Sequence, residues 1–361
     1  MNALIFIAVI VVLIIVHEFG HFVAAKLSGM RVDEFGLGYP PRALTLGKRG
    51  ETEYTLNWLP FGGFVKIYGE DDGGGPRAFS NRPRILQALV LLAGVGMNML
   101  LAYVLITAAL VIGTPRALDA AEVAGAKHAA LAVANVLPGS PAEQAGLMPG
   151  DTIVSATDTA GSWQASDPKS FSAFIAASAG ETVSLVVRHD AEEYTVEATP
   201  ATHLVPGDPS RYALGIEVAT IGTVPLSFGA ALREGAMLTW ETTVLTAKGL
   251  WHFFYGVFTF SADLSQVAGP VGIAGVVGNA SAQGFGNLLS IVALISINLA
   301  LINLIPIPAL DGGRLLFVFI ESVIRRPIRP EFVRTVNALG FVLLILLMVA
   351  VTAHDIFKIV G

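Results

Sequence analysis

The sequence predicts a polytopic α-helical membrane protein with about four transmembrane helices, a membrane-reentrant β-hairpin loop and an inserted extracytoplasmic α/β domain. Three observations carry that expectation. Of 361 residues, 53% are hydrophobic and only 14% charged, at a mean hydropathy of +0.66, whereas soluble domains carry about a quarter charged residues. Four apolar segments reach or approach the length of about 20 residues that a bilayer core demands. Between the second and third of them, residues 128–220 change to the alternating, turn-punctuated pattern of a small α/β fold.

Composition also excludes. The net charge of −6, with no basic stripe, argues against a nucleic-acid partner. The chain has no cysteine. Disulfides, cysteine nucleophiles and thiolate metal sites are therefore ruled out, and any zinc must be held by His, Asp or Glu.

The first span covers about residues 3–25. A cleaved signal peptide is disfavoured there, because no Lys or Arg precedes the apolar run and the run ends in His17-Glu18 rather than small residues. The second span, residues 85–113, is interrupted by Gln87 and Asn98. The third, residues 288–310, contains no charge, and the fourth, residues 338–353, is short and able to begin a turn earlier. Lys26, Arg31, Arg42, Lys48, Arg49, Lys66, Arg77, Arg82 and Arg84 stand between the first two spans, and Arg314, Arg325, Arg326, Arg329 and Arg334 between the last two. By the positive-inside rule both basic loops are cytoplasmic, both termini and the central domain are extracytoplasmic, and His17 lies toward the cytoplasmic side.

Residues 44–46 and 54–59 read as a β-hairpin around a turn at residues 47–50. Pro60 to Lys66 is apolar yet glycine-rich, as a loop dipping into a protein-lined cavity would be. Residues 71–76 read as a flexible polar turn. In the central domain, residues 132–137 suit a strand, and Ser140-Pro141-Ala142-Glu143 carries an N-cap, an N1 proline and a capping-box Glu. Gly146 ends that short helix. Strands follow at 152–156, 182–188, 193–199 and 212–218, with a second helix at 171–178. Residues 230–260 form an aromatic-rich helix whose Arg233, Glu234, Glu241 and Lys248 favour an interfacial position over a span. The division expected is residues 1–113, 128–220, 225–284 and 285–361.

His17-Glu18-Phe19-Gly20-His21 is an H-E-x-x-H motif. Residues four apart share a helix face, so His17 and His21 can bind one Zn²⁺ while Glu18 acts as general base. Ionisable groups inside a span are costly and usually functional. A catalytic zinc takes a third protein ligand and keeps one position open. Apart from the motif, the spans hold no Asp, Glu or His until Asp311, which follows Pro306 and Pro308 at the end of the third. Asn303 can hydrogen-bond a substrate backbone or orient a ligand. Each has a plainer reading: Asp311 as a helix cap, and Asn98 and Asn303 as interhelical hydrogen-bond glue. His128, His189, His203 and His252 lie outside the spans and are expected to be solvated, with His354 interfacial.

With these residues the chain resembles the site-2 proteases, in particular the bacterial RseP type of intramembrane zinc metalloprotease. His17 to His21 resembles the family's first motif, and Asn303 to Gly312 its N-x-x-P-x-P-x-L-D-G motif, which implies Asp311 as third zinc ligand. Phe35 to Gly38 and Gly269 to Ala274 are similar to further family elements. Pro60 to Lys66 resembles the membrane-reentrant β-loop, implying that Gly62, Gly63, Phe64 and Val65 hold substrate in extended form. Residues 128–220 resemble a single PDZ domain of the circularly permuted type, with Leu214, Gly215 and Ile216 at its peptide groove; well-known enterobacterial members carry two. The resemblance implies one zinc per chain, a place in the bacterial cytoplasmic membrane, and cleavage of single-span proteins, such as anti-sigma factors or remnant signal peptides, already trimmed outside by a site-1 protease.

The alternative is a non-catalytic membrane adaptor that binds peptides through its PDZ-like domain. Glu18 separates the two readings, because a storage or structural zinc site has no use for a carboxylate beside its ligand.

Overall fold

A computed structural model describes residues 2–70, 74–119, 122–164, 166–189, 192–205, 207–259 and 269–360. Part of the expected polar turn (71–73) and residues 260–268 lie outside the described residues. In chain order the elements are α1 (Asn2–Leu27), β1 (Val32–Arg49), β2 (Thr52–Ile67), α2 (Arg84–Ile112), β3 (Pro115–Ala117) and β4 (Lys127–Val136). Then come α3 (Pro141–Gln144), β5 (Thr152–Thr157), β6 (Ser162–Trp163), α4 (Pro168–Ala177), β7 (Val183–His189), β8 (Glu192–Ala198) and β9 (Ile216–Thr223). The chain ends with α5 (Phe228–Phe258), α6 (Pro270–Gln283), α7 (Phe285–Leu304), α8 (Asp311–Ile324) and α9 (Pro330–Val360). These form two compact units, Met1–Val111 with Ser227–Gly361, and Ile112–Leu226.

In the first unit, four helices are long and apolar enough to cross a membrane: α1, α2, α7 and α9. The third ends at Leu304, not at 310. Pro306 and Pro308 cannot continue a helix, and a turn separates α7 from α8. The fourth runs Pro330–Val360, far longer than residues 338–353, because Phe332, Val333 and Val336 extend its apolar character toward Pro330.

β1 and β2 are long, bent strands, so their antiparallel pairing builds four arms. Residues 63–67 pair with 32–37, which pair on their other edge with 53–56, which in turn pair with 44–48. Pro60 to Lys66 is thus strand rather than loop: Gly63, Phe64 and Val65 sit opposite Leu37, Gly36 and Phe35. The hairpin turn is tighter than expected, since Arg49 still pairs with Thr52 and Gly47 belongs to the strand. Thr55 donates to Glu34 at 2.7 Å and Arg42 to Glu34 at 3.0 Å, tying the arms together.

The aromatic-rich helix is α5. Gly235 abuts Thr107, the Tyr103 hydroxyl donates to the Leu232 carbonyl at 3.2 Å, and Thr243 Oγ1 lies 3.8 Å from Met99 Sδ. Residues 232–243 therefore run back along residues 107–99 of α2. Asp355 of α9 accepts the backbone N–H groups of Gly269 and Gly272 at 3.2 and 2.8 Å and so caps α6.

The second unit is a seven-stranded antiparallel sheet in the order β3-β9-β4-β5-β7-β8, with β6 on β5. Val183, Leu185 and Val187 alternate inward along β7 and pack with Leu131, Ile153 and Phe171. Ser140 caps α3 through Glu143 N–H at 3.3 Å, while the Glu143 carboxylate takes the Gly139 N–H, one residue earlier than a capping box. Asp167 caps α4, which therefore starts three residues before Phe171. The last strand is Ile216–Thr223, not 212–218, because Leu214 is drawn into the core and its carbonyl accepts Ala142 N–H at 3.0 Å. Gly215 gives its carbonyl to Leu137 N–H at 2.8 Å, and Ile216 opens β9. His189 is not merely solvated: its Nδ1 lies 2.7 Å from Asp151.

Candidate metal centre

His17 and His21 leave the same face of α1 and are both buried. Asp311 comes from 294 residues away in sequence. It is the first residue of α8, yet its carboxylate turns toward α1 instead of capping its own helix. The turn ahead of it is packed onto glycines: a Cβ at Gly312 would meet the Ile305 carbonyl at 2.3 Å, and one at Gly313 the Ile307 carbonyl at 2.3 Å. Ala309 there adopts a left-handed φ of 75°. Its N–H is held by Asn337 Oδ1 of α9 at 3.3 Å.

The three side chains converge on one point. His17 Nε2 stands 3.0 Å and His21 Nε2 3.2 Å from the same oxygen, Asp311 Oδ2. The two imidazole nitrogens are 3.1 Å apart. A single proton cannot satisfy all three edges of this triangle, whereas one cation can. Two ligands of a tetrahedral zinc, each about 2.0–2.1 Å from the metal, stand about 3.3 Å apart, close to every edge observed. Two imidazoles and one carboxylate, with a fourth side free, are the donor set of a catalytic zinc. The residues present fit that ion.

Helix α2 shapes the back of the site. Its Val90 carbonyl accepts from His21 Nδ1 at 2.8 Å, which fixes the Nε2 lone pair toward the centre of the triangle. A Cβ at Gly94 would lie 2.4 Å from His21 Nε2 and 2.7 Å from His17 Cε1, so only glycine fits there. Asn98 Nδ2 lies 3.3 Å from His17 Nδ1.

In front of the triangle is a cavity of about 430 Å³ lined by Glu18, His21, Gly63, Phe64, Val65, Asp311 and their neighbours. Glu18 has its Cγ 3.3 Å from where a Gly63 Cβ would be. The arm at residues 63–67 therefore runs beside the candidate base, and among the described residues its second edge pairs with no strand. Arg314 and Glu70, joined as an ion pair, also line the cavity.

The structure thus brings together His17, Glu18, His21, Asp311, Gly63, Phe64 and Val65. Gly62 is adjacent in β2 but does not line the cavity. Asn303 does not line it either; it sits half-buried in the last turn of α7. Leu214, Gly215 and Ile216 belong to the other unit. Sequence reasoning missed Val90, Gly94, Asn98, Glu70, Arg314 and Asn337 as parts of this site. The first three carried a signal, since a spacing of four on α2 puts them on one face.

A family model described as Peptidase family M50 matches residues 5–347. A Nostoc sp. protein named as a candidate zinc metalloprotease is 35% identical over 96% of this chain and 93% of its own. A Clostridium perfringens protein named likewise is 35% identical over 95% of each chain. Zinc metalloprotease RasP of Oceanobacillus iheyensis is 27% identical over 97% of each. Among solved structures, the PDZ domain of an SdrC-like protein from Listeria monocytogenes aligns with 26% of this chain and 90% of its own, at 18% identity and a TM-score of 0.21.

Proposed function

The chain belongs to peptidase family M50, and from that premise we propose that this membrane zinc metalloprotease cuts peptide bonds within or near the transmembrane segment of single-span proteins. The observation that carries the proposal is the triangle of His17, His21 and Asp311 with Glu18 beside it and an extended arm across the cavity. His17, His21 and Asp311 would hold the zinc. When bound, the metal supplies Lewis-acid activation of water and of the scissile carbonyl. Glu18 takes the proton from the attacking water and delivers it to the leaving amide nitrogen. Gly63 to Val65 offer a free strand edge to a substrate backbone. Strand addition there would straighten a helical substrate, whose peptide bonds are otherwise hidden.

The rest of the reading follows the family resemblance and the charge pattern. The protein sits in a bacterial cytoplasmic membrane with its site toward the cytoplasm, its termini and PDZ-like unit outside, and one zinc per chain. Trp58 is 71% and Leu59 49% exposed on the β arms, which supports a hairpin that enters lipid. Substrates would be anti-sigma-factor-like proteins or remnant signal peptides, cut first outside by a site-1 protease.

The test is cleavage of a tagged single-span substrate by wild type and Glu18→Gln in detergent, with zinc measured in both. The expected result is a loss of about 10²- to 10⁴-fold in kcat/KM with zinc retained, and loss of wild-type cleavage on chelation, restored by added zinc. Equal cleavage by both proteins would remove Glu18 and this site from the mechanism.

A further inference from the structure

We propose that Asn98 is a positioning residue for His17, presenting its amide oxygen to the imidazole Nδ1–H; the inference rests on the zinc reading above. Asn98 is fully buried. Its Oδ1 has no hydrogen-bond partner, while its Nδ2 stands 3.3 Å from His17 Nδ1. His17 aims Nε2 at the triangle. If Nε2 gives its lone pair to a cation, the neutral ring carries its proton on Nδ1. An N–H then faces an amide NH₂, two donors with no acceptor between them, in a buried place where an unmade hydrogen bond is costly. A half-turn of the amide exchanges oxygen and nitrogen within nearly the same volume. Oδ1 then accepts from His17 Nδ1–H.

His21 already shows the same arrangement, since its Nδ1 meets the Val90 carbonyl. Val90, Gly94 and Asn98 are successive four-residue steps on one face of α2. That face supplies an acceptor for one ligand, clearance for both rings, and an acceptor for the other ligand. The side chain of Asn98 is not the link to α7: its backbone carbonyl serves there, accepting the Ser296 hydroxyl at 2.8 Å.

The test compares wild type, Asn98→Leu and Asn98→Asp as full-length chains in detergent, measuring zinc retention against a graded chelator series alongside cleavage. Leucine keeps the size and loses the acceptor. Aspartate keeps an acceptor and loses the NH₂. Asn98→Leu should lose zinc about 10- to 100-fold more readily, and Asn98→Asp should hold zinc close to wild type. Wild-type retention by Asn98→Leu would overturn the positioning role. Weak retention by Asn98→Asp would overturn the oxygen-facing orientation, and this arm decides alone if the leucine variant does not fold. Absence of zinc from wild type would instead sink the zinc reading, so the two failures are distinct.

Discussion

Each unit of the molecule sets a carboxylate against histidine, Asp151 fully buried and Asp311 partly so, and the two sites differ in where the protons can go. In the inserted unit, Asp151 is fully buried and accepts from Met148 N–H at 2.9 Å, the Tyr194 hydroxyl at 2.8 Å and His189 Nδ1 at 2.7 Å. Every partner is a donor, so the group is satisfied as it stands and fixes the turn into β5. In the helical unit, Asp311 Oδ2 faces two imidazole nitrogens that also face each other at 3.1 Å. One of those rings already spends its other nitrogen on Val90. Three acceptors around one point are a site for a cation. Proximity of His to Asp does not separate a structural contact from a metal site; the count of available protons does.

Two substitutions break the comparison from opposite sides. The larger effect is expected from Gly94→Ala, whose Cβ would press on both histidines. Overpacking of about 1–3 kcal/mol, taken up by the rings, corresponds to about 10- to 100-fold weaker zinc retention, with cleavage falling in parallel. Zinc titration of the full chain checks it, and wild-type retention would show that α2 does not define the back of the site. Next is Asp151→Ala, which strands the Met148 N–H and the Tyr194 hydroxyl. A loss of about 1–3 kcal/mol is expected, read as faster hydrogen exchange across residues 112–226, with zinc retention unchanged because none of the Asp151 partners lies in the helical unit.

The same contrast governs how much could be read from sequence. His17, Glu18 and His21 were legible because helical spacing is local, and Asp311 because charge is scarce in apolar segments. The caps at Ser140 and Gly146 and the hairpin of β7 and β8 were legible for the same local reason. Asp151 with His189 was not, since two ordinary polar residues 38 apart carry no signal until the sheet pairs them. The four arms built by β1 and β2 were hidden because one bend in each strand doubles its pairing. Asn98 was legible as an amide that bonds between helices, but its partner, His17 on α1, was not, because nothing local pairs two residues 81 apart.

The smallest effect sharpens the satisfied side of the comparison. Burial first, then the bond to Asp151, pushes the Tyr194 hydroxyl from its usual 10.0 up to about 12. A raised folded-state value means that the native fold holds the phenol proton more tightly than the unfolded chain does. The resulting stabilisation is fully present below pH 10 and is lost as the pH rises through about 12. Tyr194→Phe should therefore flatten the alkaline loss of protection across residues 112–226. In the difference between wild-type and variant ultraviolet titrations, one tyrosine should ionise above the ordinary phenol range. If that difference instead shows a phenol ionising near 10, the hydroxyl is solvated and the Asp151 network is looser than the distances imply.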